Sequence, residues 1–547
     1  MLTKNNEFTL PVRFGFPGAK KYAFTLVTLL IVLLAVYANS FHGQWHFDDF
    51  PNIVENTNIR IKSFSFEEMK GSVAGVFTKR SVRPLAYLSF AANYKFGGLD
   101  VFHFHLVNFF IHYLAAVFLF LFIYNLLKLP LLKERYAHIS YSVALIATTI
   151  WAVHPLHVST VSYIVQRMSA MAALFYIMSM YFYLKARVSQ RASSSFLLFA
   201  LCILSALASF LSKENSALLP AAILLIELLL IRGASKDNLL KLGKFLILPL
   251  LFVVVIGYIY TGDPLNAFAG YAIRDFTPLE RLLTQPRVIL FYLSLLFYPV
   301  TARMTMLHDI PPSHSLFDPW TTLPALLIVV MIIGLAVYLA RKRPLLSFCV
   351  LFYFLNHLIE STVLPLEMVY EHRNYLPSML LFVPPAYFFI YLIDYFSYKK
   401  TIQFALAAGV TCLMILTATA TLARNEVFAD DFLLWTDNIQ KTPDLSRPHA
   451  NLGRIYFNSG ERQKAIQEFE KALSLNRFDN KHVSAQLKSN IGIYYFVEGQ
   501  NDLAMQYFAE SARELPRYMD NIMFTARIHL RQDRIDKARQ IIAGELK

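Results

Sequence analysis

The chain has 547 residues, of which 56% are hydrophobic and only 16% charged, with a mean hydropathy of +0.44. Soluble domains carry about 25% charged residues, so the composition excludes an ordinary soluble domain and fits a membrane protein. The net charge of +14 would suit a nucleic-acid binder, but from Arg424 onward 18 Lys/Arg face 17 Asp/Glu. The excess therefore sits between the apolar runs, where it reads as an orientation signal.

Apolar segments follow in order at 22–40, 103–127, 141–153, 162–184, 196–211, 216–232, 244–261, 286–300, 321–340, 344–360, 376–396 and 402–421. Crossing a bilayer takes about 20 residues. Tyr22–Ala38 has no small-residue cleavage site after it and is expected to be a retained first helix. Lys4, Arg13, Lys20 and Lys21 precede it. Lys128, Lys133 and Arg135 follow the second segment, Lys185, Arg187 and Arg191 the fourth, and Arg232, Lys236, Lys241 and Lys244 the sixth. A cytoplasmic N-terminus places all of these inside. Arg341–Arg343 and Lys399–Lys400 join them if 286–300, entered by Gln285-Pro286, is a half-helix lining a cavity. That gives eleven crossings and an external C-terminus. If 286–300 crosses, there are twelve and the tail is cytoplasmic. With eleven, the loops 41–84, 154–161, 262–320 and 361–375 share the external face.

The tail has a repeat. Residues 451–473 and 490–512 align without gaps, pairing Gly453 with Gly492, Tyr456 with Tyr495, Gly460 with Gly499, Ala465 with Ala504 and Phe469 with Phe508. A degraded third copy spans 526–542. Small residues for close helix approach, aromatic fillers and offsets of 39 and then 34 residues, the first lengthened by the linker "RFDNKHVS", predict tetratricopeptide repeats near 447–479, 486–516 and 520–547. The expected fold is all-α: a polytopic bundle at 1–423, then an α-solenoid at 424–547. Such solenoids offer concave surfaces to peptides.

In "WHFDDFPNI" (45–53), Asp48 and Asp49 follow the first segment among aromatic residues. Three readings stand: a loop cap, a general base whose pKa is raised by burial and a neighbouring carboxylate, and a metal site with His46. Cations recur beside apolar segments at Arg80, Arg83, Arg167, Lys213, Arg303 and Arg373. They suit either interfacial snorkelling or a lipid phosphate. In "LSKEN" the simplest partner of Lys213 is Glu214. His154 and His157 flank Pro155, suiting structural hydrogen bonds, a metal or a phosphate. Glu371, His372, Arg373 and Asn374 are expected where a helix begins, a position that attracts anions. His357 and Glu360 read as structural or cavity-lining. Cys202, Cys349 and Cys412 lie in apolar runs and give no metal spacing. Nucleotide loops, H-E-x-x-H and G-x-S-x-G are absent, so an enzyme here would need an already activated substrate.

"FDDFPNIVENTNI", "RPLAYLSFAANYKFGGLDVFHFHLVNFFIH", "WAVHPLHVSTVSYIVQR", "LSKENSALLP" and "VYEHRNYLPS", followed by the repeats, resemble the transmembrane-and-tetratricopeptide O-mannosyltransferase family. These belong with the GT-C glycosyltransferases. The resemblance covers nearly the whole chain and implies a GT-C membrane fold. It makes Asp48 and Asp49 the catalytic pair, with a slight preference for Asp49 as base on an acceptor hydroxyl. A sugar would leave a polyprenyl phosphate with inversion, its phosphate held by Arg83, Arg167, Lys213, Arg373 and His154. His157, Glu214, Glu371, His372 and Arg303 would contact donor or acceptor. A monophosphate donor implies no metal, whereas a pyrophosphate donor implies Mg or Mn at Asp48, Asp49 and His46. The implied partners are the lipid-linked sugar and a protein acceptor recruited by the repeats, at the external face of the inner membrane. Two other functions fit the same architecture: a non-enzymatic scaffold for envelope assembly, and a flippase for lipid-linked sugars.

Overall fold

The computed structural model describes residues 18–73, 83–244, 270–272, 274–476 and 480–545. Lys4, Arg13, Arg80 and nearly all of the apolar segment 244–261 lie outside the described residues. The described elements are helical throughout.

The membrane part contains α1 (Gly18–Tyr37), α2 (Pro84–Gly97), α3 (Val101–Leu126), α4 (Ser140–Ala152), α5 (Arg167–Val188), α6 (Ala192–Ser212) and α7 (Leu219–Ile226). It continues with α8 (Pro278–Phe297), α9 (Thr322–Leu339), α10 (Pro344–His357), α11 (Val383–Tyr395) and α12 (Lys400–Val427). Among the described residues seven helices are long and apolar enough to cross a bilayer. An eighth forms if the pair Lys133–Ala152 and Pro155–Val161, bent by 52°, counts as one span. The bend falls at His154-Pro155, since proline disfavours helix at the residue before it.

Local signals set the helix starts. Asp100 caps α3 by accepting the Phe102 N–H at 3.1 Å. Pro84, Pro278 and Pro344 each occupy the first helical position, where no N–H is needed. The half-helix expected from Pro286 instead begins at Pro278. Thr277 and Glu280 form a reciprocal capping box there, and Pro286 lies inside one continuous helix.

Helix α5 packs against α3 and α6, α4 against α3 and α11, and α12 against α1 and α11. Arg167 locks three of these elements together. Fully buried, it donates to Asn108 and the Phe104 carbonyl of α3 and to Asn93 and the Ser89 carbonyl of α2. Faces of α6 and α9 leave Ile203, Leu204, Val330 and Met331 exposed, as lipid-facing helices do.

Helix α13 (Asp431–Lys441), capped by Asp430, leads into three hairpins. These are α14 (Ser446–Asn458) with α15 (Arg462–Ser474), α16 (Lys481–Val497) with α17 (Asn501–Glu514), and α18 (Met519–Arg531) with α19 (Ile535–Glu545). A Cβ on Gly453 would sit 2.7 Å from the Phe469 ring, and one on Gly492 2.6 Å from Phe508. The paired helices approach as closely as the repeat pattern predicts. Gly460 and Gly499 turn the first two hairpins at φ +84° and +78°; the degraded copy uses Asp533 at +54°.

Candidate active site

A cavity of about 1450 Å³ lies between the membrane part and the repeats. Phe47, Asp48 and Arg83 from the first loop region line it, with Gln166 and the Lys213–Asn215 turn. Glu360, Glu367, Tyr370, His372 and Arg373 close one side, while Arg447, Asn451, Arg454 and Asn490 descend from the repeats. Leu218, Leu355, Leu358, Ile359 and Val363 give the cavity an apolar wall, in which Leu358 is 53% exposed. Charged groups beside an apolar wall suit a ligand that is part apolar and part polar.

The two aspartates separate. Asp49 is fully buried; one carboxylate oxygen accepts the His46 N–H at 2.9 Å and the other the Val165 N–H at 2.7 Å. Burial pushes its carboxyl up to about 7, against those two N–H groups and the nearby His46 ring. Asp48 is half-buried and faces the cavity. Burial raises its carboxyl too, opposed by the Tyr163 hydroxyl, Arg447 and Arg83. Between His46 and Asp48 the backbone turns at Phe47, which has a φ of +37°.

That conformation costs a non-glycine residue roughly 1–2 kcal/mol. Phe47 is held in it by edge-on packing against Trp435 of α13, with centroids 5.8 Å apart, and by Arg447 over its ring. The turn that presents Asp48 is thus braced by the element joining the membrane part to the repeats.

The cations are paired across long stretches of chain. Arg83 grips Glu214 through Nε at 2.8 Å and a second, shorter contact through Nη2. Lys213 pairs with Glu360 at 3.0 Å rather than with its neighbour Glu214, because the extended backbone at Lys213 sends the two side chains apart. Burial would raise Glu360, but Lys213 and Arg373 bring it below its ordinary value. Glu367 joins Arg274 of the membrane part to Arg447 of the first repeat, and these two cations lower its carboxyl against burial.

Arg373 differs from these. It is 5% exposed, donates to the backbone carbonyls of Glu367 and Met368, and has no carboxylate within ion-pair distance among the described residues. Burial, then the charges of Lys213, Arg373 and Arg83, push His372 well below its ordinary value, so it stands neutral beside them.

Several expected site residues lie elsewhere. Arg167 spends its donors on the α2–α3 clamp. His154 is bonded to the Leu296 carbonyl at 3.0 Å, and His157 is packed against Trp151 and Tyr375. Arg303 donates to Ser294 at the end of α8. Glu371 accepts from the Thr305 N–H and His308. The segment Glu371–Asn374 is one short turn, followed by a second at Pro377–Leu380 that opens the apolar span Pro377–Tyr398, with the α-helix itself from Val383; Arg373 enters the cavity by its side chain. The metal trio does not assemble. The ring nitrogens of His46 are taken by Asp431 and the Phe428 carbonyl, and among the described residues no group of three His, Cys, Asp or Glu side chains converges on a metal position. Glu360, read as structural or cavity-lining, lines the cavity, while His357 does not. Glu367, Arg274, Arg447 and Arg454 were not singled out by sequence. The spacing of Arg447, Asn451 and Arg454 on one helical face was the available signal.

A tetratricopeptide repeat family model matches residues 446–479. A Caenorhabditis elegans protein O-mannosyl-transferase is 22% identical over 479 residues, 82% of this chain and 62% of its own length. Protein O-mannosyl-transferase TMTC4 of Homo sapiens is 30% identical over 28% of this chain and 22% of its own. Protein O-mannosyl-transferase tmtc2 of Xenopus laevis is 26% identical over 55% of this chain and 37% of its own. The chain thus spans less than two thirds of the length of these curated relatives. No solved structure matches. Membrane helices, repeats and relatives together fit a family like the transmembrane-and-tetratricopeptide O-mannosyltransferases.

Proposed function

We propose that this chain is an integral-membrane glycosyltransferase that moves a sugar from a polyprenyl-phosphate-type donor to a protein hydroxyl. The observation that carries this is one cavity that gathers Asp48 and other carboxylates, several cations and an apolar wall. The relatives named as protein O-mannosyl-transferases support protein O-glycosylation.

In this reading Asp48 takes the acceptor hydroxyl proton. The oxygen attacks the anomeric carbon from the face opposite the phosphate, and the carbon–phosphate-oxygen bond breaks with inversion. Arg373, with Lys213 and Arg83, holds the departing phosphate; preorganised positive charge at a developing anion is a large catalytic term. The apolar wall takes the first part of the prenyl chain. The repeats present the acceptor through Asn451, Arg454 and Asn490, and the cavity opens on the external face. The direct test is mass spectrometry of membrane and envelope proteins from cells expressing the wild-type chain or Asp48→Asn. A glycan mass present with the first and absent with the second is expected. Unchanged glycosylation with Asp48→Asn at equal expression overturns the assignment.

A further inference from the structure

A second cavity, of about 420 Å³, opens at the other end of the same helices. Leu218 and Ala221 line the Asp48 cavity, whereas Leu229 and Arg232, further along the same rod, line this one. Helix α10 likewise runs from Pro344 here to Leu355 there. Its 14 residues span about 20 Å at 1.5 Å per residue, so the two cavities sit on opposite faces of the bundle.

Arg135, Arg232, Arg341 and Lys342 line this cavity, and no carboxylate is among its described lining residues. Each arginine is tethered through Nε: Arg135 to the Tyr387 hydroxyl at 3.2 Å, Arg232 to Glu227 at 2.7 Å, and Arg341 to the Ala234 carbonyl at 2.8 Å. Among the described residues the terminal guanidinium nitrogens of all three have no hydrogen-bond partner. Glu227 is also gripped by Arg187 through two nitrogens, so it does not neutralise both arginines. Orientation of a membrane protein requires only that positive charges lie on one side. It does not require three guanidinium groups fixed by one nitrogen each around a common space. Such planar forks match phosphate oxygens.

We propose that this cavity binds a phosphate monoester or diester at the membrane face opposite the transfer site. The half-exposed Leu131 on its rim suits a lipid head group, as basic pockets between membrane helices do; soluble phosphate is the other source of the same chemistry.

The test uses the full chain in phosphatidylcholine nanodiscs, with either phosphatidic acid in the bilayer or inorganic phosphate in the buffer. Thermal midpoint and native mass spectrometry are read in both arms. A saturable rise in midpoint is expected. Arg135→Gln and Arg341→Gln should each weaken it roughly tenfold, the effect of losing a charged hydrogen bond. Arg341→Lys keeps the charge without the fork and should fall between. Variants are compared only where their midpoint in pure phosphatidylcholine equals that of the wild type; Arg232 is left intact because Glu227 depends on it. A response confined to phosphatidic acid supports the site and assigns it to lipid, and one seen with inorganic phosphate supports it and assigns it to a soluble anion. No response in either arm, or a response unchanged in the variants, overturns the proposal.

Discussion

Asp48 and Asp49 are adjacent in the chain yet serve different environments: Asp48 lines the large cavity, while Asp49 is fully buried with both oxygens bonded to backbone N–H groups. In the proposed reading Asp48 is the functional member of the pair and Asp49 the structural one. Asp48→Asn should lower glycan transfer by roughly 10²–10⁴-fold, the usual contribution of a general base, at unchanged thermal midpoint. Asp49→Asn keeps one acceptor and turns an amide against the other N–H. It should cost about 1–3 kcal/mol of stability, seen as lower expression and a lower midpoint. A stable Asp49→Asn enzyme that has lost transfer would reverse the assignment.

Arg447 ties the first repeat to the charge environment of Asp48. It lowers the Asp48 carboxyl by its charge, and it also screens Glu367, which raises that carboxyl. Arg447→Gln removes the first effect and exposes the second, so both push the Asp48 pKa upward. A base works only when deprotonated. The acid limb of the pH–rate profile should therefore move to higher pH, with the plateau rate less affected. The measurement is initial transfer rate from pH 4 to 9 with a peptide acceptor. An unmoved limb would mean that Asp48 is not the titrating group.

Among the described cations of the cavity, Arg373 and Arg454 have no carboxylate within ion-pair distance, whereas Arg83 pairs with Glu214, Lys213 with Glu360, and Arg274 and Arg447 with Glu367. Of the two, Arg373 is the buried one, which in the proposed reading makes it the main holder of the phosphate. Arg373→Gln should lower the transfer rate about 10²–10³-fold, as loss of a donor to a developing anion does. Arg373→Lys should recover part of it. A rise in donor KM alone, with kcat intact, would show that Arg373 only holds the ground-state phosphate.

These assignments mark where sequence reasoning stopped. The repeats were legible because Gly453, Ala465 and Phe469 recur at fixed spacing and the helices pack through those same residues. Asp48 was legible as one of a pair at the end of an apolar run. Choosing between the two aspartates required knowing that the Val165 N–H, 116 residues away in sequence, occupies Asp49. The cations were visible one by one, but their pairing was not. Arg83 meets Glu214 and Lys213 meets Glu360 only once α2, α6 and α10 are packed. Arg167, His154 and Glu371 lie outside the cavity lining for the same reason: a charged or polar side chain between apolar segments serves equally well as an interhelical clamp.

The repeats roof the cavity, so damage to their packing should reach the reaction. Gly453 faces the Phe469 ring, and a Cβ there would also lie 3.2 Å from the Ala465 carbonyl. The ring is 3% exposed and has little room to retreat. Gly453→Ala gains up to about 1 kcal/mol of helix propensity but overpacks this contact, at a cost of roughly 1–3 kcal/mol. The net effect should be a lower thermal midpoint for the repeat region. Because α14 also carries Arg447, Asn451 and Arg454 into the cavity, transfer to a peptide acceptor should fall with it. Phe469→Leu in the Gly453→Ala background vacates the space and should restore part of both. Additive losses in the double variant would show that the two residues do not share this contact.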